Sequence, residues 1–248
     1  MGKKQTYVVL GSNCFSGSFM VDELLKNPDN VVVGISRSAE KSALFLPYKN
    51  SPNIRNYSFY QVDMVRESDK LINLLDLIQP EYIINFAALS EVQVSVFRPI
   101  DYFQTNCMGL VMLCNELRSR TYFKKFIQIS SAEVYGDTKT AVLEDATTNP
   151  STPYAVSKLV ADLYLQSLVK IFQFPCIIVR STNVYGKHQQ LYKIIPRTII
   201  YLKTGRQIEL HGNGQVVRYF LHIRDLVQGV TATIEHGKLG EIYHFAVP

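Results

Sequence analysis

The sequence predicts an α/β fold built on a doubly wound parallel sheet, and three observations predict it. Short apolar runs alternate with longer amphipathic stretches along the whole of the 248 residues. A glycine-bounded turn follows the first apolar run, and the later motifs also fall just after such runs. Strands apolar throughout are buried on both faces, as in a parallel sheet whose crossover helices cover it. Right-handed crossovers then place ligands at the carboxyl ends of the strands.

Taken in order, the first strand is Tyr7–Leu10, and the helical pattern Gly17–Lys26 follows its turn. Val31–Ile35 and Ser58–Val62 are the next two runs, the second leading into the amphipathic stretch Asp69–Ile78. Tyr82–Phe86 precedes the long pattern Tyr102–Arg120, and Phe126–Ile129 precedes Pro153–Phe172, whose prolines mark a helix start. Cys176–Val179, the patterns Ile194–Lys203 and Asp225–His236, and the run Ile242–Ala246 complete the chain. Residues 1–180 read as a dinucleotide-binding domain, and 181–248 as a small substrate-binding lobe interleaved with the last strand.

A net charge of +5 and a pI near 8.9 suit nucleic acid, a membrane surface or phosphorylated small molecules alike. No long basic run occurs and the aromatics lie in hydrophobic segments, so nucleic acid is not an expected partner. Cys14, Cys107, Cys114 and Cys176 show no Cys-x-x-Cys spacing and do not cluster with histidines, so no metal is expected. A reduced, cytoplasmic setting suits them. No apolar run reaches the roughly 18–20 residues of a membrane span. The start Met1-Gly2-Lys3-Lys4-Gln5-Thr6 fits a myristoylation pattern, but Thr6 leads straight into a strand and leaves almost no tether.

The first strand and its turn read Val9-Leu10-Gly11-Ser12-Asn13-Cys14-Phe15-Ser16-Gly17-Ser18. Gly11 permits a sharp turn, Gly17 lets the helix approach the sheet, and the amides at the helix start can hold a pyrophosphate. Gly11, Asn13, Cys14, Phe15, Ser16 and Gly17 are therefore candidate cofactor-binding residues. About 20 residues on, an NAD-binding fold places a carboxylate for the ribose hydroxyls. Here Ser36-Arg37-Ser38 stands there, and Arg37 with its flanking serines suits a 2′-phosphate. NADP is the expected cofactor; the alternative is NAD with Arg37 as a loop residue stacked on adenine.

Tyr154 and Lys158 lie four residues apart on a helical pattern, hence on one face. An ammonium beside a phenol favours phenolate and lowers its pKa, which makes the pair a candidate acid/base centre. Tyr135 and Lys139 share the spacing, but Gly136 and Asp137 follow Tyr135 as a turn, so that pair is not on one helical face.

Around this pair run Ser130-Ser131-Ala132-Glu133-Val134-Tyr135-Gly136, Glu144-Asp145, Pro150 to Lys158, Arg180-Ser181-Thr182-Asn183-Val184-Tyr185-Gly186 and Arg218 to Asp225. In that order they resemble the extended short-chain dehydrogenase/reductases, specifically the branch acting on nucleotide sugars, over essentially the whole chain. The resemblance implies a Rossmann fold and a nucleotide-diphosphate sugar substrate. It places Asp63 on the adenine, Met64, Ala87, Ala88 and Asn106 beside the cofactor, and Tyr154 and Lys158 on the nicotinamide ribose. It places Ser131 on the sugar, and Ser90, Asn183, Lys193 and Arg218 in substrate binding. A homodimer paired through Tyr102–Arg120 and Pro153–Phe172 is also implied. Cys14 stands where the family has the middle glycine of Gly-x-x-Gly-x-x-Gly.

Glu133 bears on the reaction. In this branch 4,6-dehydratases carry glutamate there, where epimerases carry a small or apolar residue, and a dehydratase needs a base for the carbon 5 proton. The preceding position, an acid in the thymidine-diphosphoglucose type and serine in the guanosine-diphosphomannose type, is Ala132. The resemblance therefore implies a 4,6-dehydratase working by transient oxidation at carbon 4, with Ser131, Glu133, Tyr154 and Lys158 as its catalytic residues. The alternatives are a 4-epimerase or reductase, and a non-catalytic NADP-binding regulatory protein. Relatives continue past the last strand with helices that complete the sugar side, whereas this sequence stops at Tyr243-His244-Phe245-Ala246-Val247-Pro248, leaving open a truncated chain or a compact variant.

Overall fold

The structure, a computed structural model, describes residues 4–138, 140–208, 214–215 and 217–246. Met1–Lys3, with the Met-Gly start, and Lys139 lie outside the described residues. In chain order the strands are β1 (Thr6–Leu10), β2 (Val31–Ser36), β3 (Tyr57–Gln61), β4 (Tyr82–Asn85), β5 (Lys125–Ser131), β6 (Cys176–Ser181), β7 (Asn183–Tyr185), β8 (Phe220–His222) and β9 (Ile242–Phe245). All seven predicted runs enter one sheet in the order β3-β2-β1-β4-β5-β6-β9, parallel at every pairing. The order reverses between β1 and β4, and a doubly wound sheet opens a ligand crevice at that point.

The helices are α1 (Phe15–Leu24), α2 (Ser68–Ile78), α3 (Val92–Phe97), α4 (Pro99–Tyr102), α5 (Gly109–Leu117), α6 (Pro153–Phe172), α7 (Ile194–Lys203) and α8 (Ile223–His236). Alternate residues of β1 feed two cores, because successive strand side chains point to opposite faces. Tyr7 and Val9 join Phe19 and Met20 of α1 and Val230 and Ile234 of α8. Val8 and Leu10 join Leu71 and Leu75 of α2, Leu113 of α5 and Leu165 of α6.

One feature differs from the sequence reading. The predicted helix Tyr102–Arg120 is interrupted by a π-helical segment, Phe103–Met108, before α5 begins. Within 181–248, α8 packs in the first core and β9 pairs with β6, while β7 and β8 pair with each other in a separate two-stranded sheet. Among the described residues no helix is long and apolar enough to cross a membrane.

Candidate active site

The crevice between β1 and β4 is shaped by close backbone approach. Gly11 has φ +79°, and a Cβ there would lie 2.7 Å from the Ala87 nitrogen beyond β4. A Cβ on Gly17 would lie 2.4 Å from the Gly11 carbonyl oxygen. Both positions thus require glycine. Cys14, by contrast, is extended (φ −78°, ψ 163°), a conformation open to any residue. Its Sγ caps α1 by accepting the Gly17 N–H at 3.2 Å. The substitution for the family's middle glycine therefore leaves the turn intact, and the Phe15 and Ser16 amides at the start of α1 are the ones left for a pyrophosphate.

The end of β2 is tied to this turn. Ser36 is buried, and its Oγ accepts the Asn13 N–H at 3.0 Å. Asn13 Nδ2 donates to the carbonyls of Ser38 and Ala39, both at 2.8 Å. Ser36, expected beside Arg37 as a phosphate ligand, thus also ties β2 to the turn. Arg37 and Ser38 are exposed, and the Arg37 guanidinium has no protein partner among the described residues. The acidic residue of this loop, Glu40, is drawn away by the Tyr48 hydroxyl at 2.8 Å and by an ion pair with Lys49.

After β3, Asp63 Oδ1 accepts the N–H groups of Val65 (2.9 Å) and Arg66 (3.2 Å), so this carboxylate also builds its own turn. Met64 packs against Gly109 at the start of α5. After β4, Asn85 Oδ1 accepts the Ala87 N–H at 3.0 Å and holds the small Ala87-Ala88 stretch in place. Asn106, within the π-helical segment, clamps that stretch: its Oδ1 accepts from Leu89 N at 2.8 Å, and its Nδ2 donates to Leu89 O and Ser157 Oγ. Its amide is thus used on protein.

These residues fit a nicotinamide dinucleotide, since Gly11 and Gly17 keep clear a cradle that any Cβ would fill. Beside the cradle lies the reacting end. Thr152 caps α6 by accepting the Ala155 N–H at 3.2 Å, Pro153 opens the helix, and Tyr154 N donates to Ser95 Oγ at 3.1 Å. The buried Tyr154 phenol meets the Tyr102 ring edge-on. Burial pushes it up to about 12, with Ser131 opposing and the Glu133 and Asp162 charges adding to the rise. Lys158, also buried, donates from Nζ to Ile129 O at 2.7 Å. Burial lowers it to about 8, opposed first by Asp162. Burial, rather than Lys158, is the largest influence on the phenol in this structure.

Ser131 ends β5, and its Oγ accepts the Glu133 N–H at 3.2 Å, starting the 3-10 turn Ala132–Tyr135. The half-buried Glu133 is near enough for its charge to act on the Tyr154 phenol. On the sugar side, Ser90, Asn183 and Arg218 are exposed, whereas Lys193 pairs with Glu91 at 2.7 Å. Glu91 escaped the sequence reading, as did Asp162 and Arg180, a buried ion pair at 3.0 Å beneath Lys158. A charge within an otherwise apolar run, as in Cys176–Ser181, is the signal that could have found Arg180. Among the described residues no group of histidine, cysteine and acidic side chains could hold a metal ion.

Residues 7–246 match the model of the NAD-dependent epimerase/dehydratase family. This chain belongs to that family. A dTDP-D-glucose 4,6-dehydratase of Homo sapiens is 31% identical over 98% of this chain and 69% of the relative. The dTDP-glucose 4,6-dehydratase of Haemophilus influenzae is 30% identical over 96% of this chain and 73% of its own length. Among solved structures, a dTDP-glucose 4,6-dehydratase from Streptomyces venezuelae with NAD bound superposes with a TM-score of 0.86 at 28% identity, covering 97% of this chain and 75% of that one. A UDP-glucuronic acid 4-epimerase from Bacillus cereus, in complex with UDP-glucuronic acid and NAD, gives 0.85 at 28%, covering 98% and 78%. Family membership thus carries a nicotinamide cofactor and sugar-nucleotide chemistry, with both dehydratases and epimerases among the similar proteins.

Proposed function

We propose that this family member is a nucleotide-sugar 4,6-dehydratase that forms a 4-keto-6-deoxy sugar. The observation that carries the reading is a carboxylate near the candidate phenol: the Glu133 charge acts on Tyr154, and Ser131 adjoins both, accepting the Glu133 backbone N–H. A carboxylate and a phenol so close together support two proton transfers on one sugar. A bound nicotinamide dinucleotide would take the hydride of carbon 4 and return it to carbon 6 once water has left, with carbon 5 regaining a proton, so that the net change is loss of water. Tyr154 takes the proton of the 4-hydroxyl, which Ser131 orients. Lys158 contributes the positive charge that favours phenolate and holds the nicotinamide ribose. Glu133 takes the carbon 5 proton, and because Ala132 has no proton to give, the same Glu133 protonates the departing 6-hydroxyl.

NADP is the preferred cofactor in this reading, since Arg37 is exposed and unpaired and Glu40 is held elsewhere; NAD, which the similar structures contain, is the alternative. Asn183, Lys193 and Arg218 bind the substrate diphosphate, Lys193 by exchanging Glu91 for it, and Ser90 faces the sugar. Met108, Val160 and Leu163 leave apolar surface exposed at the start of α5 and along α6, which supports a homodimer paired there.

A 4-epimerase is the second reading, favoured by the absence of a proton donor at Ala132 and by the epimerases among the similar structures. Incubation with nucleotide sugars, followed by mass analysis, separates the two. Loss of water supports dehydration; an isomer of unchanged mass overturns it.

A further inference from the structure

Three charged side chains lie together in the dry layer between α6 and the sheet. Lys158 is 2% exposed, Asp162 0% and Arg180 3%. Lys158 and Asp162 are one turn apart on α6 and so share a face. Asp162 Oδ2 accepts from Arg180 Nε at 3.0 Å, while Oδ1 is buried without a hydrogen-bond partner. Arg180 is anchored from its other side by the Tyr135 hydroxyl at 2.5 Å and by the Tyr135 ring at 5.0 Å. The hydrogen bond of the Lys158 ammonium goes to a neutral carbonyl, that of Ile129.

A buried charge persists only when it is compensated. Asp162 is the anion among these three, and it stands with two cations. Without it, Lys158 and Arg180 would share the layer uncompensated. A guanidinium does not give up its proton in a protein, so the ammonium is the group that would yield. We propose that Asp162 is a positioning residue that keeps Lys158 charged in its buried seat, with Arg180 and Tyr135 fixing where that carboxylate stands. The proposal rests on the reading of Tyr154 and Lys158 as the reacting pair, and it extends that pair to a residue that touches neither substrate nor cofactor.

The other groups on the elements packed around α6 do not replace Asp162. Cys107 and Cys114 are thiols that burial pushes up, to about 11 for Cys107, and so remain neutral. Tyr102 and Tyr135 are likewise raised by burial and uncharged. The Glu133 charge acts on the Tyr154 phenol. Asp101 is held outside by Arg98, and Lys125 by the carbonyls of Ile234 and Gly237.

The test is a titration of Lys158 in the full chain, followed by NMR of protein carrying 13C at the lysine ε-carbons, with its signal assigned by loss in Lys158→Arg. The wild-type midpoint is expected near 8. In Asp162→Asn it should fall by about one pH unit or more, and Asp162→Glu should restore it. The alkaline limb of the turnover profile should move down by the same amount. Where Asp162→Asn fails to fold, the double variant Asp162→Asn with Arg180→Gln removes the stranded cation too, and its midpoint should still lie below wild type. An unchanged midpoint in a folded variant overturns the proposal and leaves Asp162 as a joint between α6 and β6. The titration needs no substrate, so a wild-type protein that turns over no nucleotide sugar would sink the enzymatic reading without deciding this one.

Discussion

The Ser131 hydroxyl accepts the Glu133 backbone N–H at 3.2 Å, and Ser131 also acts on the Tyr154 phenol, opposing its rise. One residue therefore adjoins the two groups proposed to move different protons. Tyr154→Phe should abolish oxidation and product together, a loss of about 10²-fold or more in turnover. Glu133→Gln keeps the shape but removes the carbon 5 base, so the first step should survive while product does not form. Stopped-flow absorbance of the nicotinamide should then rise and stay high. Wild-type turnover in Glu133→Gln would make Glu133 structural.

Lys158 is held at a cost to the fold. Its ammonium is lowered from 10.5 to about 8 by burial, so between those values the unfolded chain binds the proton and the folded one does not. Stability from this group accordingly rises with pH across about 8 to 10.5, and the full penalty is present below 8. Lys158→Met should be more stable than wild type by more than about 1 kcal/mol at pH 7, though inactive. Urea unfolding at a series of pH values should show the gap closing as pH rises through that window.

Cys14 caps α1 through its thiol, which the family's glycine cannot do. Cys14→Gly should lose about 1 kcal/mol of stability, from the cap and from added chain entropy, with cofactor affinity preserved. Thermal unfolding and cofactor titration on the same variant separate the two effects.

Arg37 stands exposed at the end of β2. Arg37→Asp should turn preference from NADP towards NAD, because a carboxylate repels a 2′-phosphate and accepts from ribose hydroxyls. Calorimetric titration of both cofactors into both proteins reads this directly; equal wild-type affinities would count against Arg37 as the phosphate receptor.

The five inner strands of the main sheet were legible because parallel strands buried on both faces are written as apolar runs, the edge strands β3 and β9 from shorter part-buried runs, and Gly11 and Gly17 because their spacing has a backbone meaning. Tyr154 and Lys158 were legible from helical periodicity. What sequence could not carry was long-range. The Asn106 amide reaches Ser157, 51 residues away, and the π-helical segment that holds it has no pattern distinct from an ordinary helix. Nothing local shows that Asn13, 23 residues earlier, donates its N–H to the Ser36 hydroxyl. Asp162 lay in an amphipathic helix where an acid reads as surface, and only the approach of β6 turns it inward against Arg180.

The central claim is that this chain removes a proton from carbon 5 of a bound sugar. Turnover of nucleotide sugars in deuterium oxide, with the product analysed by NMR, tests it most directly. The account predicts a 4-keto-6-deoxy product carrying solvent deuterium at carbon 5, with that label lost in Glu133→Gln. A product that differs from substrate only in stereochemistry and retains its original hydrogen at carbon 5 would contradict it.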